Sequence, residues 1–128
     1  MPLFGRHPGG TRGPADGDRF EALLAAGIEL ARETFAAFGA EHGLAPAAID
    51  RVITHQVGSA HRRLLLEALE LGEGRDFPTF PVLGNVGTVS LPISLGMAAE
   101  QGFVGEGQRV ALLGIGSGLA CQMLDVRW

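Results

Sequence analysis

Three short stretches carry residue types that could do chemistry. "VITHQVGSAH" places His55 directly after an apolar run, with Gln56 next and Gly58-Ser59 behind it. "LGNVGT" places Asn85 in a loop with glycines at 84 and 87. "GIGSG", Gly114 to Gly118, is a glycine turn that follows an apolar run. A neutral imidazole can donate a hydrogen bond to a developing oxyanion, or exchange protons near neutral pH. A carboxamide offers a directed N–H pair, which suits an oxyanion hole. A glycine turn lets the backbone approach a ligand closely. Each stretch also has a plainer reading. The imidazole could be satisfied by loop carbonyls, the Asn could serve a left-handed turn beside Gly, and the glycines could be a simple hairpin.

Other candidates are weaker. Cys121 is the only thiol, and it falls among Leu119, Met123 and Leu124. A nucleophilic thiol needs an electropositive setting, so an inert, buried cysteine is expected. His61 follows His55 by six residues, which matches no two-histidine metal spacing. His7 and His42 are expected at the surface. No metal site is expected. A dinucleotide fingerprint at Gly114–Gly118 would require a following helix, and a strand pattern follows instead.

The elements that must position these residues can be read from periodicity. Residues 1–17 are rich in Gly, Pro and Arg and read as a disordered lead, with 18–128 as one folded domain. Asp16 or Asp18 could cap a helix. Phe20, Leu23, Leu24, Gly27, Ile28, Ala31, Phe35 and Phe38 then recur at helical spacing, predicting an amphipathic helix that ends near Gly43. "LAPAAID" predicts a connector with one helical turn, and "RVITH" a short buried strand. Ser59 to Leu71 reads as a second helix, stopped by Gly72. "FPTFPVLGNVGTVSLP" holds three prolines and reads as mostly extended loop, with strand limited to a residue or two. Val89 to Gln101 is a third helix. Arg109 to Ile115 and Leu119 to Arg127 are strands joined by the glycine turn. This order predicts an α/β fold: a mixed, mainly parallel sheet with helices on both faces and a C-terminal β-hairpin. The first helix has no strand before it.

Composition narrows the function classes. The 128 residues are 46% hydrophobic and 19% charged, with net charge −4, an ordinary globular balance. No basic cluster predicts nucleic-acid binding. Val110 to Leu124 is interrupted by glycines and a serine and is too short to span a bilayer. One cysteine excludes a disulfide framework within the chain, and a soluble, cytoplasmic setting is expected.

Taken together, "THQVGSAH", "LGNVGTVSLPISLGMAAEQG" and "VALLGIGSGLACQMLDVRW" resemble the C-terminal half of the thiolase superfamily. The nearest branch is the beta-ketoacyl-acyl-carrier-protein synthase III type. Within it, the sequence is most similar to the olefin-biosynthesis acyl-CoA condensing enzymes. The resemblance spans roughly Phe20 to Trp128. It implies a Claisen condensation of acyl thioesters in fatty acid or olefin biosynthesis. A cysteine of the N-terminal half would carry the acyl group. His55 and Asn85 would stabilise the enolate of the second substrate. Gly84 would belong to the asparagine loop, and Gly116 and Gly118 to the glycine loop whose middle residue, Ser117, gives a backbone N–H to the thioester oxyanion. The implied partners are acyl-CoA or acyl carrier protein as substrate and a Cys-bearing N-terminal half or full-length relative, with a dimer as the family assembly and no cofactor. Cys121 does not match the family's nucleophile, and neither the nucleophile-bearing half nor the first strand of this half is in the sequence. The expectation is therefore that these residues alone do not catalyse condensation and that the surface meant for the other half is apolar and exposed. The alternative is a non-catalytic thiolase-fold binding or partner subunit.

Overall fold

The computed structural model describes residues 14–116 and 118–128, with side chains from residue 17 onward. The elements run α1 (Pro14–His42), β1 (Arg51–Thr54), α2 (Ser59–Ala68), α3 (Phe80–Leu83), α4 (Ser90–Glu100), β2 (Arg109–Gly116) and β3 (Ala120–Arg127). Single 3-10 turns cover Pro46–Ala48, Glu73–Arg75 and Gly87–Val89.

Three strands form one mixed sheet in the order β1-β2-β3. β1 pairs parallel with β2, Val52 opposite Ala111. β2 and β3 form the C-terminal hairpin, with Gly116 opposite Ala120. A single parallel bridge joins Val52 to Asp76 on the other side of β1. Strand alternation sends side chains to two separate cores. Val52, Ala111, Leu113, Cys121 and Met123 face α1 and α2. Ile53, Val110, Leu112 and Val126 face α4. The sheet therefore has helices on both faces, as the alternating pattern predicts.

Both long helices before α4 end in the same way. At the end of α1, Gly43 is left-handed (φ 62°) and the Leu44 N–H donates to Gly39 O at 2.8 Å. At the end of α2, Glu70 takes that conformation (φ 56°) and the Leu71 N–H donates to Leu66 O at 2.9 Å. This six-to-one closure satisfies carbonyls that have no partner within the helix. It also stops α2 at Ala68, three residues before the expected end at Leu71. Closure of α1 brings chain onto Gly39: a Cβ built there would sit 2.7 Å from the Leu44 carbonyl oxygen. Gly39→Ala should therefore lose about 1 kcal/mol in urea unfolding, because overpacking of about 1–3 kcal/mol outweighs alanine's helix preference of about 1. Gly17→Ala, on the same helix with open space around it, should not destabilise.

Three expectations need correction. The helix begins at Pro14, so residues 14–17 are helical; the rest of the expected disordered lead, 1–13, lies outside the described residues. Pro14 suits a first turn because its missing N–H would have no helical partner there. Asp16 and Asp18 consequently lie inside α1 rather than capping it. Next, the apolar stripe of α1 is not buried along its length. Gly27, Ala31, Phe35 and Phe38 are buried, whereas Phe20 and Leu23 are 62% and 57% exposed. Finally, the proline-rich segment is not extended, since it folds into α3 and a 3-10 turn. Pro81 falls in the first turn of α3, where it costs no hydrogen bond.

Candidate functional site

β1 delivers His55 to its C-terminal edge. The His55 backbone N–H donates to Leu113 O at 3.1 Å, one step past the last β1–β2 ladder pair. The imidazole is partly buried and lines a cavity of about 400 Å³ with His61, Gly116 and Gly118. The remaining walls are apolar: Phe20, Leu23, Leu24, Val57, Ile115 and Leu119, with Gly27 also on the lining. The exposed end of α1 thus forms one side of the His55 cleft. A larger groove, about 1040 Å³, lies between α1 and α2; it shares only Leu24 with the His55 cavity and contains none of His55, His61, Gly116 and Gly118.

Burial holds the His55 imidazole below its ordinary value, so it is neutral at neutral pH. A neutral imidazole has one N–H to donate and one nitrogen to accept, which is what proton exchange or oxyanion binding requires. His61 is 8% exposed and is held down first by burial and then by repulsion from His55. The sequence reading missed His61 as a cleft residue. Its place in the first turn of α2, just past His55, was the available signal.

Both imidazoles make the fold acid-sensitive. The unfolded chain takes up protons as pH falls through about 6.5, whereas the folded chain resists until lower pH. The unfolded state then binds more protons, so stability falls with pH from about 6.5 downward, until the folded values are passed. The urea midpoint should be lower at about pH 5.5 than at about pH 7.5, and His61→Leu should shrink the difference. An equal difference in that variant would place the effect on other groups.

Asn85 sits on a different loop and does not line the His55 cavity. Gly84 ends α3 with φ 66° and its N–H donates to Phe80 O at 2.9 Å; Gly87 also has φ 66°. Left-handed backbone at both positions explains why the asparagine loop needs glycines. The Asn85 Oδ1 accepts from the Gly87 N–H at 3.0 Å. A backbone N–H can only donate, so this contact assigns the amide orientation and leaves the NH₂ group for another acceptor. The loop is exposed, and Val82, Leu83, Val86, Val89 and Ile93 around it show 37–75% of their surface.

On the third candidate, Gly116 ends β2 and Gly118 (φ 79°) lies in the hairpin turn. Ser117 lies outside the described residues, so its backbone donor has no described geometry. Cys121 is half-buried against the α1-side core. Burial pushes its thiol up, against a smaller opposing effect of the Thr34 hydroxyl. That is the setting of an inert thiol. Among the described residues, no group of His, Cys, Asp and Glu is arranged to hold a metal ion, and no helix is long and apolar enough to cross a membrane.

Comparison with known proteins bears on the fold and the family. The chain is 47% identical over 106 residues to the acyl-CoA:acyl-CoA alkyltransferase of Shewanella oneidensis, covering 83% of this chain and 30% of that protein. It is 39% identical to the Xanthomonas campestris protein of the same name, covering 83% of this chain and 31% of the relative. The fold superposes on the crystal structure of cerulenin-bound Xanthomonas OleA with TM-score 0.82 at 36% identity, over 91% of this chain and 36% of that one. The chain thus spans about a third of the length of the relatives it matches. Residues 40–128 match the family described as 3-oxoacyl-[acyl-carrier-protein (ACP)] synthase III C terminal. The chain therefore belongs to the C-terminal domain family of the 3-oxoacyl-[acyl-carrier-protein] synthase III enzymes.

Proposed function

We propose that this chain is the C-terminal part of an acyl-thioester condensing enzyme and supplies His55 and Asn85 as oxyanion-hole donors, while the nucleophilic cysteine comes from an N-terminal half. The observation that carries this reading is a neutral, partly buried His55 at the carboxyl end of β1, opening onto an apolar cavity beside Gly116 and Gly118. Sites in α/β folds form at that edge of the sheet.

In the proposed reaction the cysteine thiolate attacks an acyl-CoA, forming an acyl-enzyme and releasing CoA. A second thioester loses its α-proton to a general base of the N-terminal half, becomes carbanionic at its α-carbon and places negative charge on its carbonyl oxygen. The His55 N–H and the Asn85 NH₂ donate to that oxygen. The α-carbon then attacks the acyl-enzyme carbonyl, a C–C bond forms, the C–S bond breaks and the cysteine leaves as thiolate. Each preorganised donor is worth about 3 kcal/mol of barrier. The apolar walls of the cavity suit an alkyl chain, and the names of the Shewanella and Xanthomonas relatives favour acyl-CoA over acyl carrier protein. Ser117 would add a backbone donor from the hairpin. No cofactor is required by this chemistry. Fatty acid or olefin synthesis in the cytoplasm, and a dimeric assembly, complete the proposal.

The exposed apolar residues Val82 to Ile93 fit the surface that meets the cysteine-bearing half. The test is to mix this chain with such a half and follow free CoA from acyl-CoAs of several chain lengths. Steady release requiring both chains is expected. No release from any acyl-CoA would overturn the proposal and favour a non-catalytic partner subunit.

A further inference from the structure

The loop that carries Asn85 has little packing to hold it, because residues 81–89 are all exposed. Its apolar side chains face outward, so something other than core burial must fix it. Beneath it lie four polar side chains that the proposed oxyanion hole does not use. Gln56 is 3% exposed, Thr79 2%, and Ser90 and Ser94 are fully buried.

These four form one continuous hydrogen-bonded chain. The Gln56 Oε1 accepts from the Thr79 N–H at 2.9 Å and the Phe80 N–H at 3.1 Å. Its Nε2 donates to Thr54 O at 2.9 Å. The Thr79 and Ser94 hydroxyls are 2.7 Å apart. The Ser94 hydroxyl donates to Ser90 O at 2.6 Å. The Ser90 Oγ accepts from the Val86 N–H at 3.2 Å. Chemistry fixes the directions. Carbonyls only accept, so the single Ser94 proton goes to Ser90 O, and Thr79 must donate to Ser94. Two backbone donors converge on one Gln56 oxygen, which fixes its amide orientation.

The ends of the chain are informative. It starts at Gln56, next to His55 in sequence, and finishes at Val86, next to Asn85. Buried polar groups cost stability unless every member is satisfied. The same volume could be apolar, like the neighbouring core of Ile53, Ala98 and Leu112.

We propose that Gln56, Thr79, Ser94 and Ser90 are positioning residues, a buried relay that holds the Asn85 loop in register with His55. This rests on the oxyanion-hole reading for its functional consequence, but its structural part stands alone. Misplacing a catalytic group by about 1 Å costs up to about 100-fold in rate.

The test has two arms. In amide hydrogen exchange on this chain, Ser90→Ala should speed exchange at Val86 by about 10-fold, as expected for loss of one hydrogen bond. Gln56→Met should speed exchange at Thr79, Phe80 and Val86 together. Leu69→Ala, in the core on the other face of the sheet, is the control and should not affect Val86 selectively. If Gln56→Met frees Thr79 and Phe80 but leaves Val86 unchanged, the relay does not exist. In the assembled enzyme, Gln56→Met and Ser90→Ala should lower kcat by about 10- to 100-fold with KM changed by less than about twofold. Unchanged kcat in both would overturn the positioning role. If His55→Ala also leaves turnover unchanged, the oxyanion-hole reading fails instead, and the exchange arm still decides the relay.

Discussion

His55→Ala, in this chain assembled with a cysteine-bearing N-terminal half, is expected to lower steady CoA release by about 100- to 1,000-fold. The loss follows from removing one donor in a partly desolvated site, where a hydrogen bond to developing charge is stronger than in water. The first CoA per active site should still appear as a burst, since acylation needs the cysteine more than the enolate donor. The variant should remain folded. His55 is tied to the sheet through its backbone N–H to Leu113 O, which alanine keeps. A variant that turns over at the normal rate, while folded and acylated, would remove His55 from the chemistry.

Arg62→Ala is expected to cost about 4 kcal/mol in urea unfolding, more than Asp76→Ala at about 3. The pair is bidentate: Arg62 Nε to Asp76 Oδ2 at 2.6 Å and Nη2 to Oδ1 at 2.8 Å. Its two members are not equally buried. The Asp76 side chain is 2% exposed and that of Arg62 25%. Removing the arginine strands a carboxylate with almost no access to water. Removing the aspartate leaves a guanidinium that can still reach solvent. The Arg62 guanidinium is held above its ordinary value, chiefly by the hydrogen bond from it to Asp76. The pair also ties α2 to the segment that leads into Thr79, a segment that the Val52–Asp76 bridge joins to β1. A cost below about 1 kcal/mol for both variants would mean that the pair behaves as a solvated surface contact.

The strands and the placement of His55 were legible because they depend on local pattern. "RVITH" followed by Gly and Ser reads as a buried strand running into a helix, and the structure puts β1 at Arg51–Thr54 and α2 from Ser59. The β2–β3 hairpin follows from two apolar runs around a glycine turn. The region from Phe77 to Val89 was misjudged because proline was weighed as a strand breaker, whereas Pro81 occupies a helix start. The early end of α2 was hidden because Glu70, not a glycine, adopts the left-handed closure. Gln56, Thr79, Ser90 and Ser94 looked like ordinary polar residues. Their significance lies in contacts 15 to 24 positions apart, between Gln56 and Thr79–Phe80 and between Thr79 and Ser94, and no local pattern carries that information. The same holds for Phe20 and Leu23. The periodicity marks them as apolar, but only the placement of α1 against β3 turns them into walls of the His55 cleft.

The most direct measurement is a crystal structure of this chain assembled with a cysteine-bearing N-terminal half and an acyl-thioester. The His55 imidazole and the Asn85 NH₂ are expected to converge on one thioester oxygen, each about 2.7–3.1 Å away, beside the cysteine sulfur of the N-terminal half. A structure in which Asn85 still faces solvent, or in which the thioester binds away from the end of β1, would contradict it.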